Sequence, residues 1–320
     1  MKFAIITILI ALPSVFSEEG WNVPQEDGTF KWVSKETIEE YRNKFENIPE
    51  GRKKQEKFYL YTPENGNTPE EVSSDHHFNT DRETRIIVHG WKNDYKSDVN
   101  NVLRKAYNDV GLYNIIIVDW NYVARKTYIQ ASNQIRNVAH KIATFIDQST
   151  LSVQKVAIVG HSLGGHITGL AARYVEKGEI QAVWALDAAG PLFSYDDLSW
   201  RVCKTDANYV ECIHTNAGTL GFTENLGQAD FYVNGGKSQP GCGLDLSGSC
   251  AHSRAYEYFA ESIRDNNFVS SSCTGYQNAM KNKCTVQLGS HGNMGYGYVN
   301  SSGCYYTPVN KKSPFGKGFL

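Results

Sequence analysis

Residues 156–165 read VAIVGHSLGG: an apolar run, then Ser162 with a glycine two positions to either side. The run is rich in β-branched residues and reads as a strand. The following HITGLAARYV has helical character, and a helix is expected over 165–177. A serine on a sharp strand-to-helix turn projects its hydroxyl above the end of a sheet, and the flanking glycines keep neighbouring backbone from clashing with it. The helix start supplies unpaired N–H groups at the same spot. This stretch therefore asks for an α/β sheet with Ser162 at the C-terminal end of one strand.

The surrounding chain has the matching period. FYLYT (58–62), RIIVHG (85–90), NIIIVDW (114–120) and AVWALD (182–187) are further short apolar runs. Such runs suit strands buried on both faces of a largely parallel sheet. Between them, Ile135, Val138, Ile142 and Ile146 recur at helical spacing within 131–147, and SRAYEYFAESI (253–263) reads as another helix. Strand–helix alternation of this kind gives layered α/β architecture, a central sheet with helices on both faces.

Residues 1–17, MKFAIITILIALPSVFS, have a lysine, an apolar stretch and small residues before a cleavage point after Ser17. That is the pattern of a secretory signal peptide. No other run approaches the about 18 apolar residues of a membrane helix. A secreted, extracellular product is expected. Residues 18–55 are polar with mixed charge and include Arg52-Lys53-Lys54. They are expected to be a solvated N-terminal extension, with a propeptide as the alternative, and residues 56–320 to form the α/β domain. The net charge of −2 gives no reason to expect nucleic acid.

Seven cysteines, at 203, 212, 242, 250, 273, 284 and 304, all fall in the last 120 residues. In an oxidising compartment most should pair. Local spacing favours Cys242 with Cys250 and Cys273 with Cys284; Cys203 with Cys212, leaving Cys304 over, stays open. There is no CxxC pair to suggest a metal site. Asn300 begins the single N-x-S/T sequon and is the candidate glycan site.

A serine hydroxyl needs a base, and the base needs a partner to hold its tautomer. In this topology the chain order is Ser, acid, His. Asp187 ends the AVWALD strand and is the candidate acid. Three histidines follow it. His214 lies in a β-like run and His291 in a glycine-rich loop, whereas His252 directly precedes a helix, two residues beyond Cys250. A base must be fixed in place while its charge changes, which favours His252. The tetrahedral intermediate's oxygen needs donors: the Leu163 N–H after the nucleophile, and the Trp91 N–H from the loop after RIIVHG. One such donor is worth about 3 kcal/mol in the transition state. His89 precedes the serine and is assigned a structural role.

With these residues assembled, the chain resembles the pancreatic-lipase family of α/β hydrolases, and most of all its insect secreted, phospholipase A1-like members. The matches are VHGW, VDWN, GHSLGGH, ALDAAGP, DANYVECIHTNAG, DFYVNGG, QPGC and CAHSRAYEYFAESI, in family order from about residue 57 onward. The resemblance implies an α/β-hydrolase fold without a C-terminal β-sandwich, a triad of Ser162, Asp187 and His252, and no cofactor. It also implies a phospholipid substrate met peripherally at a membrane or lipid surface, with no obligate protein partner. The loop between Cys242 and Cys250 holds seven residues, too few to cover a lipid-sized cleft. Among relatives, so short a lid goes with cleavage of the sn-1 ester of phospholipids. A neutral-glyceride lipase is the alternative, and an inactive lipid-binding or yolk-type protein a more distant one. Leu220, Phe222, Leu244 and Leu246 are candidate lipid contacts. Vertebrate relatives hold calcium after the acid; here Leu198 and Cys203 stand where acidic residues are expected, and no metal is anticipated. Ala188 replaces a customary proline.

Overall fold

The computed structural model describes residues 19–46, 55–284, 291–296 and 301–318. Residues 1–17, expected to be a signal peptide, the 52–54 basic cluster and Asn300 lie outside the described residues.

The order begins with a hairpin, β1 (Gly20–Pro24) and β2 (Phe30–Ser34), and helix α1 (Lys35–Glu46). There follow β3 (Lys57–Tyr61), β4 (Glu70–Val72), β5 (Thr84–Val88), α2 (Asp98–Val110) and β6 (Asn114–Asp119). Two short helices, α3 (Asn121–Ala124) and α4 (Tyr128–Ser132), lead into α5 (Ile135–Gln148). Then come β7 (Val156–His161), α6 (Leu163–Tyr174), β8 (Ala182–Leu186), β9 (Val210–His214), β10 (Ala229–Val233) and α7 (Ser249–Arg264). The described chain closes with β11 (Val269–Cys273), α8 (Tyr276–Met280), β12 (His291–Asn293) and β13 (Gly303–Thr307).

All strands after the hairpin join one sheet, ordered β12-β11-β13-β10-β9-β8-β7-β5-β6-β3-β4. From β13 to β6 every neighbouring pair is parallel. β3, β4, β11 and β12 add antiparallel edges. The apolar runs alternate as a strand must. Ile86, Val88, Ile116, Val118, Val156 and Ile158 pack toward α5 and α6. Ile87, Ile115, Ile117, Ala157 and Val159 pack toward α2 and α7. The stripe on α5, Ile135, Val138, Ile142 and Ile146, is wholly buried. Each such side chain contributes roughly 1.5–3 kcal/mol on burial. This is the α/β-hydrolase arrangement, and it leaves the C-terminal ends of β5, β7 and β8 together as a platform.

The N-terminal residues differ from expectation. Residues 19–46 are not a solvated extension: Val23, Val33 and Ile38 are buried in the same core as α5 and α6. Arg42 donates to the Leu192 carbonyl at 2.8 Å, and its guanidinium lies 4.2 Å over the Trp200 ring. Three apolar anchors among many polar residues suffice because the hairpin presents Val23 and Val33 on one side.

Candidate active site

Ser162 stands between β7 and α6 with φ 61° and ψ −125°, a conformation that side chains other than glycine rarely adopt. Such backbone costs of order 1–3 kcal/mol and persists only where its surroundings over-determine it. Here the Ser162 N–H donates to the Leu186 carbonyl at 3.1 Å, and its own carbonyl accepts from Gly165 and Ala189 N–H groups at 3.0 and 3.2 Å. A methyl group on Gly160 would lie 2.2 Å from the Gly164 carbonyl oxygen, and one on Gly164 would lie 2.2 Å from that of Val88. Both glycines are therefore steric requirements of the turn.

Asp187 follows β8, fully buried, with φ 44°. Its Oδ1 accepts from the N–H groups of Thr215 and Asn216 at 2.7 and 3.0 Å. Its Oδ2 accepts from Nδ1 of His252 at 2.5 Å. Gly221 lets the 216–222 loop close over this carboxylate, since a methyl there would meet Oδ1 at 2.4 Å. The proton on Nδ1 leaves Nε2 of the neutral imidazole as an acceptor. His252 lies within the first turn of α7 rather than in the loop before it. The Cys242–Cys250 disulfide ties that turn down, and Asp245 Oδ2 accepts from the Ala251 N–H at 2.8 Å.

Two histidines that sequence reasoning gave no role complete the frame. His161 Nε2 donates to the His252 carbonyl at 2.9 Å. Burial, then the nearby His252 ring, hold its pKa well below the usual imidazole value, so it remains neutral. His166 Nε2 donates to the Ala189 carbonyl at 2.7 Å while its Nδ1 accepts from Val202 N–H at 3.3 Å. Burial lowers its pKa to about 3. It fixes the turn that carries Asp187. Their only signal in the sequence was adjacency to the elbow, in GHSLGGH.

Ser162 and His252 line one cavity of about 500 Å³ with Gly90, Trp91 and Leu220. A methyl on Gly90 would sit 2.8 Å from Ser162 Cβ, which places the 89–91 turn directly against the serine. His89 shapes that turn: its Nδ1 donates to the Gly90 carbonyl at 2.9 Å, and its ring stacks on Trp120. Neither the Trp91 nor the Leu163 N–H has an acceptor among the described residues. Two free donors beside a buried hydroxyl are the arrangement that stabilises a developing oxyanion.

The other candidates sort clearly. His214 is buried in the sheet, 2.8 Å from Asp230 through Nε2 and stacked on Tyr232. His291 opens the edge strand β12. Leu220 lines the cavity, but Phe222 does not: it is buried in the core, its ring approaching His166 edge-on. The sequence could not reveal this because the 216–222 loop folds inward over Asp187. Leu244 and Leu246 are 87% and 80% exposed.

The arrangement suits nucleophilic acyl transfer, and the sequence profile of the Lipase family matches residues 28–315. The chain belongs to the Lipase family. It is a serine ester hydrolase. Phospholipase A1 of Vespa crabro is 34% identical over 247 residues, which cover 72% of this chain and 82% of that one. Phospholipase A1 2 of Vespa affinis is 33% identical over 72% of this chain and 74% of its own. Pancreatic triacylglycerol lipase of Oryctolagus cuniculus is 35% identical over 71% of this chain, but the match spans 56% of that longer protein.

In this lipase the loop after the acid does not fit a divalent cation. Arg173 fills it: its guanidinium donates to the Leu198 and Arg201 carbonyls at 2.6 and 3.0 Å and to Asp206 Oδ1 at 2.8 Å. Asp206 also accepts from the Cys203 N–H at 2.7 Å. One carboxylate and two carbonyls are already committed to a resident positive charge, and a calcium ion needs six or more free oxygens.

Cys242–Cys250 and Cys273–Cys284 are disulfides, which suits an oxidising extracellular compartment. Cys203 and Cys212 are not joined; both, with Cys304, are buried thiols. Burial pushes the Cys304 thiol up to about 12, so it is a poor nucleophile.

Proposed function

We propose that this lipase is a secreted phospholipase A1 that releases the sn-1 fatty acid of glycerophospholipids. The Ser162 proton passes to His252 Nε2 as Oγ bonds to the ester carbonyl carbon. The oxyanion is held by the Trp91 and Leu163 N–H groups. The imidazolium, oriented and stabilised by Asp187, then gives its proton to the departing lysophospholipid oxygen as the ester C–O bond breaks. Water repeats the sequence on the acyl-enzyme: its proton goes to His252, and the fatty acid leaves as Ser162 recovers a proton. The 1–17 leader directs the protein to the secretory route.

The observation that carries the phospholipid reading is the lid. Seven residues between Cys242 and Cys250 are too few to fold over the cavity, and the two leucines at their centre stand in solvent. A bulky polar headgroup has open access there, and the leucines are available to touch a lipid surface. The two Vespa relatives named phospholipase A1 support the same reading. The likeness to pancreatic triacylglycerol lipase favours a second reading, hydrolysis of neutral glycerides. Phosphatidylcholine labelled separately at sn-1 and sn-2, assayed beside triolein, decides between them. Release of the sn-1 label in excess of both others is expected; release from triolein alone overturns the proposal.

A further inference from the structure

A second cavity, of about 570 Å³, lies behind the catalytic one. One wall is the N-terminal hairpin, including Val33 and Trp32; the other includes Ile129 of α4. The two cavities share Pro24, Gln25, Trp91 and Tyr128, so they adjoin across these residues. Each has the size of a small-molecule site.

Trp91 is the hinge between them. Its backbone N–H stands beside Ser162, while its indole is pinned away from the serine. Nε1–H donates to the Lys126 carbonyl at 2.6 Å, and the ring meets Tyr128 edge-on at 5.3 Å. The Trp91 and Tyr128 rings thus stand at the wall common to the two cavities, with Ile129 beyond them on the second. The hairpin wall is fixed as well. Val23 and Val33 are buried, and Lys92 Nζ donates to the Glu26 carbonyl at 2.6 Å. The Trp32 indole rests against Gly20, where a methyl group would come within 2.6 Å of it. Trp32 is nonetheless 48% exposed and leaves an aromatic face at the cavity.

We propose that the N-terminal hairpin is the far wall of the acyl-chain site. The chain esterified to the reacting carbonyl passes Trp91 and lies between Trp32 and Ile129, so the hairpin sets which acyl lengths the enzyme accepts. The proposal rests on Ser162 being the ester-cleaving residue, but not on which glycerol position is cut. It also makes residues 20–34 part of the working enzyme rather than a segment to be discarded.

The test uses the full secreted chain with p-nitrophenyl palmitate and p-nitrophenyl butyrate, read as the ratio of their kcat/KM values. Each methylene excluded from an apolar site costs several-fold in binding. Ile129→Trp, which fills the second cavity, is expected to lower the palmitate-to-butyrate ratio at least tenfold. Trp32→Ala alters a half-exposed position that the fold does not depend on, and is expected to lower it at least threefold. A ratio within twofold of the parent in folded Ile129→Trp overturns the proposal; if that variant does not fold, the same result in Trp32→Ala does so. Positional preference on phosphatidylcholine is scored separately. A failure of the sn-1 reading with the ratio still shifted leaves this assignment standing.

Discussion

Ser162 and Asp187 are held largely by backbone atoms that no side-chain substitution removes, whereas the His252 ring is held by the Asp187 carboxylate. Ser162 is held by the backbone of 165, 186 and 189, Asp187 by two amides and the bare α-carbon of Gly221. Ser162 and Asp187 were legible as candidates from the strand ends on which they fall, and His252 from its place after them, beside a helix start and close to Cys250. Their support was not, because it is made of backbone and of histidines whose pairing is decided only in three dimensions. The Asp187–His252 bond gives a sharp prediction. Asp187→Asn cannot accept from a protonated Nδ1 through its amide nitrogen, and a flipped tautomer leaves Nε2 unable to take the serine proton. A fall in kcat of about 10⁴ is expected with the melting temperature little changed; a loss under tenfold would mean that this carboxylate does not set the tautomer.

At the scale of elements, the loop after β8 and the strand β9 carry charges whose burial has consequences. Arg173→Ala would leave Asp206 buried without its cation, at a cost of about 3 kcal/mol or more. Its melting temperature should fall by several degrees, while millimolar calcium should leave that of the parent unchanged. A calcium-dependent rise in the parent would show that the loop accepts the ion after all. On β9, Glu211 is wholly enclosed and accepts from the Tyr209 hydroxyl and the Gly295 N–H at 2.8 and 2.7 Å. Burial pushes its pKa up to about 8. The folded state therefore holds a proton that the unfolded chain releases near the ordinary carboxylate value, and the resulting stability is lost as pH rises from about 4.5 to 8. Glu211→Gln should remove that slope in urea melts; a parent whose stability rises across this window would contradict the assignment. Neither the Arg173 cluster nor the Glu211 pocket could be read in advance, since each joins residues more than twenty positions apart.

The molecule as a whole was readable where its period was strong. Runs such as RIIV and NIIIV are buried on both faces and form adjacent parallel strands, because a doubly covered sheet conceals three or four consecutive apolar residues. The N-terminal hairpin was misread for the converse reason: Val23, Val33 and Ile38 are too sparse to announce a core contact, yet they seat residues 20–34 on the rim of the active-site cavity. Phe222 was misjudged because apolar character does not distinguish a lipid contact from a core residue. The exposed leucines of the disulfide loop predict how the whole molecule meets its substrate. Leu244→Ser with Leu246→Ser should lower hydrolysis of phosphatidylcholine vesicles about tenfold relative to a soluble short-chain ester. An unchanged ratio would remove the disulfide loop from the lipid-contacting face.

The central claim is that one hydroxyl, raised on a strained turn and served by His252, carries the ester chemistry. Mass spectrometry of the purified protein after reaction with a fluorophosphonate, run beside a Ser162→Ala variant, tests it most directly. A single adduct on the peptide bearing Ser162 is expected, with labelling and phosphatidylcholine hydrolysis both lost in the variant; hydrolysis that survives in the variant, or an adduct on another residue, would contradict it.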